Sequence, residues 1–241
     1  MLVHGLGGTG ADLWKHQVAD LAESFRVIAY DLRGSGKSEI SPGPYSIGLL
    51  CDDLRALVDA LNLGRVALVA HSMGGSIALM YAARYSGDVT ALVGVGAPAE
   101  FPDQARIGLE GRAKTVEAEG MGAVAETVAT NGVSPTFREG NPEEYQELVA
   151  MLAANAPAGY AAQCRALVGL DIVSQLANIV APALLVSGDR DAVSPPAVTE
   201  ANAGRISGGR SAIVEDCGHI LPWEKPGELA RTAWPFLREH R

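Results

Sequence analysis

The chain is poor in lysine, cysteine and long apolar runs, and each shortage removes a class of function. Lys15, Lys37, Lys114 and Lys225 are the only lysines among 19 basic residues, and the arginines are spread along the chain. With a formal net charge of -9 at pH 7, there is no basic stripe to neutralise phosphates or anionic lipid, so neither nucleic acid nor membrane is expected as a partner. Cys51, Cys164 and Cys217 are odd in number and widely spaced. They have neither metal-ligand spacing nor the density of a secreted disulfide scaffold, and reduced thiols in a cytoplasmic protein are expected. No apolar run reaches the roughly 18 residues of a membrane span, and no charged segment followed by an apolar one opens the chain. A soluble, unprocessed protein is expected. "MLVHGLGG" enters a buried-looking strand at Leu2 with no preceding turn or edge element, so the recorded start is expected to lie inside the fold.

What is present is a core. At 241 residues and 48% hydrophobic, the chain can bury one substantial interior with an inserted subdomain. "FRVIAYD" (Phe25 to Asp31), "VALVAH" (Val66 to His71) and "VTALVGVGA" (Val89 to Ala97) are β-rich runs with few charges. Such runs suit parallel strands covered on both faces. Between them, Leu13 to Glu23, Leu49 to Leu63 and Met73 to Tyr85 carry apolar residues at intervals of three and four, which predicts helices packed on a sheet. From about Phe101 to Leu176 the β-branched runs vanish, and "EGMG", "NGVSP", "EGNP" and "NAPAG" punctuate four or five short helices. Strands resume in "APALLVSGD" (Ala181 to Asp189) and "SAIVED" (Ser211 to Asp216), before a closing helix from Glu228 to Glu239. The reading is therefore an α/β core of residues 1–100 and 177–241, with residues 101–176 as a helical lid inserted between two strands. The lid would lie over the crevice at the strands' carboxyl ends.

Two nucleotide-binding patterns fail on inspection. "GLGGTG" (Gly5 to Gly10) fits a dinucleotide fingerprint, but His4 stands where an apolar strand residue is expected. "GSGKS" (Gly34 to Ser38) resembles the end of a phosphate-binding loop, yet Asp31 occupies the leading glycine's place, and its carboxylate would repel phosphates. That segment reads as a polar turn after a strand.

A serine nucleophile needs a base within hydrogen-bond reach, a carboxylate to orient the base, and fixed donors for the oxyanion. Ser72 in "VALVAHSMGGS" follows an apolar strand and precedes a helix, so it fits the tight turn that exposes a nucleophile. Ala70, two residues before it, is small enough for that turn. His219, in "EDCGHILPWEKP", lies in a loop at a strand's carboxyl end and is the candidate base; Cys217 beside it reads as a small packing residue. "GDRDAVSPP" offers two acids. Asp189 abuts the strand and reads as a turn stabiliser, while Asp191 stands further into the loop and is preferred. The backbone N–H groups of Leu6 and Met73 are the candidate oxyanion donors, with glycines giving the Leu6 loop its freedom. His4 is expected to fix that loop by hydrogen bonding.

"HGLGG", "DLRGSGKS", "AHSMGG", "GDRDAVSP" and "GHILPWEKP" stand in the order seen in the α/β-hydrolase superfamily, which this chain resembles over nearly its whole length. "SPGPYSI", "EGMGAVAE" and "PAGYAAQCRAL" further resemble β-ketoadipate enol-lactonases. The resemblance implies the triad Ser72, Asp191 and His219, the oxyanion donors Leu6 and Met73, and two strands before Met1 that this chain lacks. Those enol-lactonases usually carry a Trp-Phe pair in the lid where this chain has Asn131, Gly132 and Val133, so a different pocket is expected. The expected activity is hydrolysis of a small carboxylic ester or lactone through an acyl-enzyme on Ser72, with no cofactor and no metal. Carbon-carbon bond hydrolysis and perhydrolysis use the same triad, and a non-catalytic small-molecule receptor on the same fold is the alternative of another class. The oligomeric state is not readable.

Overall fold

A computed structural model describes residues 1–240. Six strands, β1 (Leu2–Val3), β2 (Ala29–Tyr30), β3 (Val66–His71), β4 (Val89–Val95), β5 (Ala183–Gly188) and β6 (Arg210–Val214), form one sheet in the order β2-β1-β3-β4-β5-β6. Every pairing in it is parallel, with Val3 opposite Ala70, Ala70 opposite Gly94, and Val95 opposite Val186. The central strands are buried on both sides, as their uninterrupted apolar sequences require. Leu68 and Leu92 point into the layer of Leu54, Ile77 and Leu79, whereas Val69, Val93 and Val186 point into the layer of Leu13, Leu229 and Trp234.

The helices are α1 (Gly10–Leu13), α2 (Val18–Ala22), α3 (Ile47–Ala60), α4 (Met73–Arg84), α5 (Asp103–Glu119), α6 (Ala125–Gly132), α7 (Pro135–Gly140), α8 (Pro142–Ala153), α9 (Pro157–Val168), α10 (Pro196–Gly204), α11 (Leu221–Glu224) and α12 (Pro226–Glu239). Helices α5 to α9 lie between β4 and β5, and an antiparallel bridge between Glu100 and Asp171 joins the two ends of that segment. Proline opens α7, α8 and α9. There its missing N–H costs nothing and its fixed φ suits the first helical turn. The breaks at "NGVSP", "EGNP" and "NAPAG" thus fall at these junctions, although α5, at 17 residues, is not short.

Two expectations need correction. Only Ala29–Tyr30 of the Phe25 to Asp31 run joins the ladder, with Leu2 N–H also donating to Ile28 O at 2.8 Å. It is the edge strand, so half its backbone groups face no strand among the described residues. The helix expected from Leu13 to Glu23 is split, because Trp14 is fully buried and the Gln17 side-chain amide donates to Pro222 O at 2.7 Å, tying the chain between α1 and α2 to α11. No helix among the described residues is long and apolar enough to cross a membrane.

Candidate active site

The strands' carboxyl ends bring together three residues far apart in sequence. Ser72 joins β3 to α4 with φ +54° and ψ -120°, a conformation that a residue with a Cβ adopts only at a cost of order 1–3 kcal/mol. Its N–H donates to Val95 O at 2.8 Å and its carbonyl accepts from Ser76 N–H at 3.0 Å, so strand and helix hold the turn from both sides. The turn is tight as well: a Cβ on Gly74 would run into the carbonyl of His4. Ala70 is completely buried and keeps its place in the ladder opposite Gly94.

Ser72 Oγ lies 2.8 Å from His219 Nε2, and His219 Nδ1 lies 2.9 Å from Asp191 Oδ2. A carboxylate only accepts, so Nδ1 carries the proton and Nε2 is left to accept from the serine hydroxyl. Asp191 Oδ1 accepts N–H groups from Val193 and Ser194, both at 2.8 Å, which fixes the carboxylate in its loop. Burial works against ionisation of Asp191, but the His219 imidazole and these two N–H groups outweigh it and hold the carboxyl below its usual range. All three side chains are buried to within a tenth of full cover. Gly96, at the end of β4 with φ +54°, makes room for the pair: a Cβ there would lie 2.9 Å from His219 Nδ1 and 3.0 Å from Asp191 Oδ2.

The competing acid is placed elsewhere. Asp189 Oδ1 accepts Cys217 N–H at 3.1 Å and its own N–H donates to Val214 O, so it stabilises the turn. Cys217 is fully buried, and burial pushes its thiol pKa up. All three cysteines are free. His4 is buried, accepts Leu32 N–H at Nε2 (2.9 Å), and therefore donates from Nδ1 to Gly5 O (2.8 Å), which secures the glycine-rich loop as expected. Burial lowers its pKa to about 4, so it stays neutral. Asp31 accepts the N–H groups of Gly10 and Lys37, tying together the two loops that mimic nucleotide motifs.

Leu6 lines the space beside Ser72, and Met73 opens α4 directly after it. Among the described residues neither N–H donates to a carbonyl or a side chain. A cavity of about 830 Å³ opens over Ser72 and His219, walled by apolar side chains such as Leu109, Val128, Leu152 and Val193. Arg112 brings a half-buried guanidinium to the same wall, next to the buried Tyr160. The acid nearest to Arg112 in sequence, Glu110, is turned instead to Arg165 at 3.3 Å. Among the described residues no group of three or more His, Cys, Asp or Glu side chains is arranged to hold a metal.

Two residues at the site escape a reading of the sequence. His71 donates from Nε2 to the His219 carbonyl at 2.9 Å, with the two rings 4.9 Å apart. Burial, then the neighbouring His219, holds its pKa down to about 3. Glu224, buried in α11, accepts N–H groups from both Gly218 (2.8 Å) and Ser134 (3.1 Å). The only sequence signal for Glu224 is its place in "GHILPWEKP", five residues after His219.

The pattern that defines the alpha/beta hydrolase fold matches residues 1–119. The chain is 31% identical to 3-oxoadipate enol-lactonase 2 of Acinetobacter baylyi, over 91% of this chain and 81% of that one. Among solved structures, the enol-lactonase from Burkholderia xenovorans superposes with a TM-score of 0.93 at 31% identity, over 98% of this chain and 90% of that one. A thermophilic esterase from Thermogutta terrifontis gives the same TM-score and identity, over 100% of this chain and 89% of that one. With this sheet, this strand-to-helix turn and these relatives, the chain belongs to the α/β-hydrolase family.

Proposed function

We propose that the protein is a cytoplasmic serine hydrolase that cleaves carboxylic esters or lactones through an acyl-enzyme on Ser72. The observation that carries this reading is the hydrogen-bonded series from Ser72 Oγ to His219 to Asp191, set on a turn with positive φ at the floor of a largely apolar cavity. His219 Nε2 takes the hydroxyl proton as Oγ attacks the carbonyl, and Asp191 stabilises the imidazolium that forms. The Leu6 and Met73 N–H groups receive the oxyanion of the tetrahedral intermediate. His219 then returns its proton to the departing alkoxide. Water, activated by the same imidazole, releases the acid and regenerates Ser72. For a lactone, alcohol and acid leave as one molecule.

The relatives support a lactone or ester as substrate, since two of them are named as enol-lactonase and esterase. Cavity-wall residues Leu109, Val128 and Leu152 come from the helices between β4 and β5, which supports residues 101–176 as a lid over a core of residues 1–100 and 177–241. Replacement of the nucleophile is the direct test. Ser72→Ala should abolish hydrolysis of short p-nitrophenyl esters and labelling by a fluorophosphonate while preserving the circular dichroism spectrum. Retained hydrolysis would overturn the reading. A substrate panel with an enol-lactone, short-chain esters and a meta-cleavage diketone then separates lactonase, esterase and carbon-carbon hydrolase activities.

A further inference from the structure

We propose that Glu224 is a positioning residue that couples the Gly132–Ser134 junction of the inserted helices to the backbone of His219. The inference rests on the hydrolase reading above and assigns a role to a buried carboxylate which that mechanism does not use. Three consecutive residues around the base are each anchored through the backbone. Gly218 N–H donates to Glu224 Oε2 at 2.8 Å, the His219 carbonyl accepts from His71 at 2.9 Å, and Ile220 N–H donates to Gly132 O at 2.9 Å. The other oxygen of Glu224 takes Ser134 N–H at 3.1 Å. One carboxylate therefore bridges the segment carrying the base and the link between α6 and α7.

Glu224 is 7% exposed and forms no ion pair among the described residues, so only N–H dipoles compensate its desolvation. An apolar side chain there would leave the Gly218 and Ser134 N–H groups without their acceptor and would cut the link between the two segments. The contact is also close, since a Cβ on Gly218 would lie 2.8 Å from the Val133 backbone. Asn131 and Gly132 line the cavity, so a substrate pressing on that wall pushes on a segment tied to both neighbours of His219, directly to Ile220 and through Glu224 to Gly218. Displacement of a base by a fraction of an ångström falls on kcat, because the Ser72 to His219 geometry matters in the transition state more than in binding.

Two variants separate this role from simple packing. Glu224→Gln keeps the shape but turns an amide N–H toward one of the two N–H donors. Ser134→Pro deletes the N–H donated to Glu224 while leaving the bond to Gly218; Ser134 already has φ -68°, and Val133 before it is extended at ψ 161°. Ser134 Oγ also caps α7 by accepting Phe137 N–H, so Ser134→Ala serves as the control that loses the cap and keeps the N–H. Glu224→Gln and Ser134→Pro should each lower kcat on the order of ten- to a hundredfold while KM moves less than about twofold. Fluorophosphonate labelling should slow in parallel, and Ser134→Ala should match the wild type in kcat. If Ser134→Pro and Ser134→Ala have equal kcat, or if folded Glu224→Gln labels at the wild-type rate, the coupling is overturned. A wild-type protein that neither labels nor hydrolyses any ester or lactone would overturn the hydrolase reading and this inference with it.

Discussion

Two carboxylates separated by one residue, Asp189 and Asp191, do different work because of where their oxygens point. Asp191 meets His219 Nδ1 at 2.9 Å, whereas Asp189 holds the Cys217 N–H. Asp191→Ala should therefore lower kcat by roughly 10⁴-fold with the fold intact, the scale expected when the tautomer and orientation of a catalytic histidine are no longer fixed. Asp189→Ala should cost roughly 1–2 kcal/mol of stability through a lost backbone acceptor and much less in kcat. Steady-state kinetics and urea unfolding on both variants check this, and a larger kcat loss at Asp189 would reverse the assignment. At this scale the candidate triad was legible because the reaction constrains residue type, loop position and chain order together. His71 and Glu224 were not. A histidine beside a nucleophile and a glutamate before a lysine and proline carry no pattern of their own, and their roles depend on hydrogen bonds spanning 148 and 90 residues.

Elements were legible where burial is symmetrical and obscure where tertiary contacts override local pattern. β3, β4 and β5 appear within a few residues of expectation because both faces are covered, whereas β2 shrinks to two residues at the edge. The α1–α2 break is set by the tie from Gln17 to Pro222, 205 residues away, which no helical period reveals. The end of β4 gives a sharp prediction. Gly96 has φ +54° and faces His219 and Asp191 at contact distance, so Gly96→Ala introduces both backbone strain and a methyl group against the imidazole. It should reduce kcat by at least about tenfold and stability by roughly 1–3 kcal/mol. Wild-type kinetics for that variant would mean the strand end yields without disturbing the pair. On α5, the guanidinium of Arg112 lines the cavity with no carboxylate partner among the described residues. Arg112→Gln should raise KM roughly tenfold for an ester whose acyl chain ends in a carboxylate, and leave a neutral ester of equal length unchanged. Equal effects on the two esters would remove Arg112 from acyl recognition.

For the molecule as a whole, two buried neutral histidines tie stability to pH. His4 and His71 are held down to about 4 and about 3 by burial, against an ordinary value of 6.5. In the unfolded chain both bind protons near the ordinary value, so the unfolded state holds more protons wherever the pH lies below it. Stability from these groups is complete above about pH 6.5 and is lost as the pH falls toward their folded values, at about 1.4 kcal/mol per pH unit for each. By pH 5 each has forfeited about 2 kcal/mol, a large share of a total that for domains is typically about 5–15 kcal/mol. Asp191, whose folded value is depressed, acts in a lower window: its contribution is full above the ordinary carboxylate value and disappears only as the pH falls below it. The histidine part is isolated by comparing urea unfolding of the wild type and His71→Gln from pH 8 to pH 5. The variant should be less stable at pH 8, because the hydrogen bond to the His219 carbonyl is perturbed, and should close that gap by about 2 kcal/mol on acidification to pH 5. A gap independent of pH would mean that His71 binds its proton as readily in the folded protein as in the unfolded chain, so that burial does not hold the ring neutral on acidification.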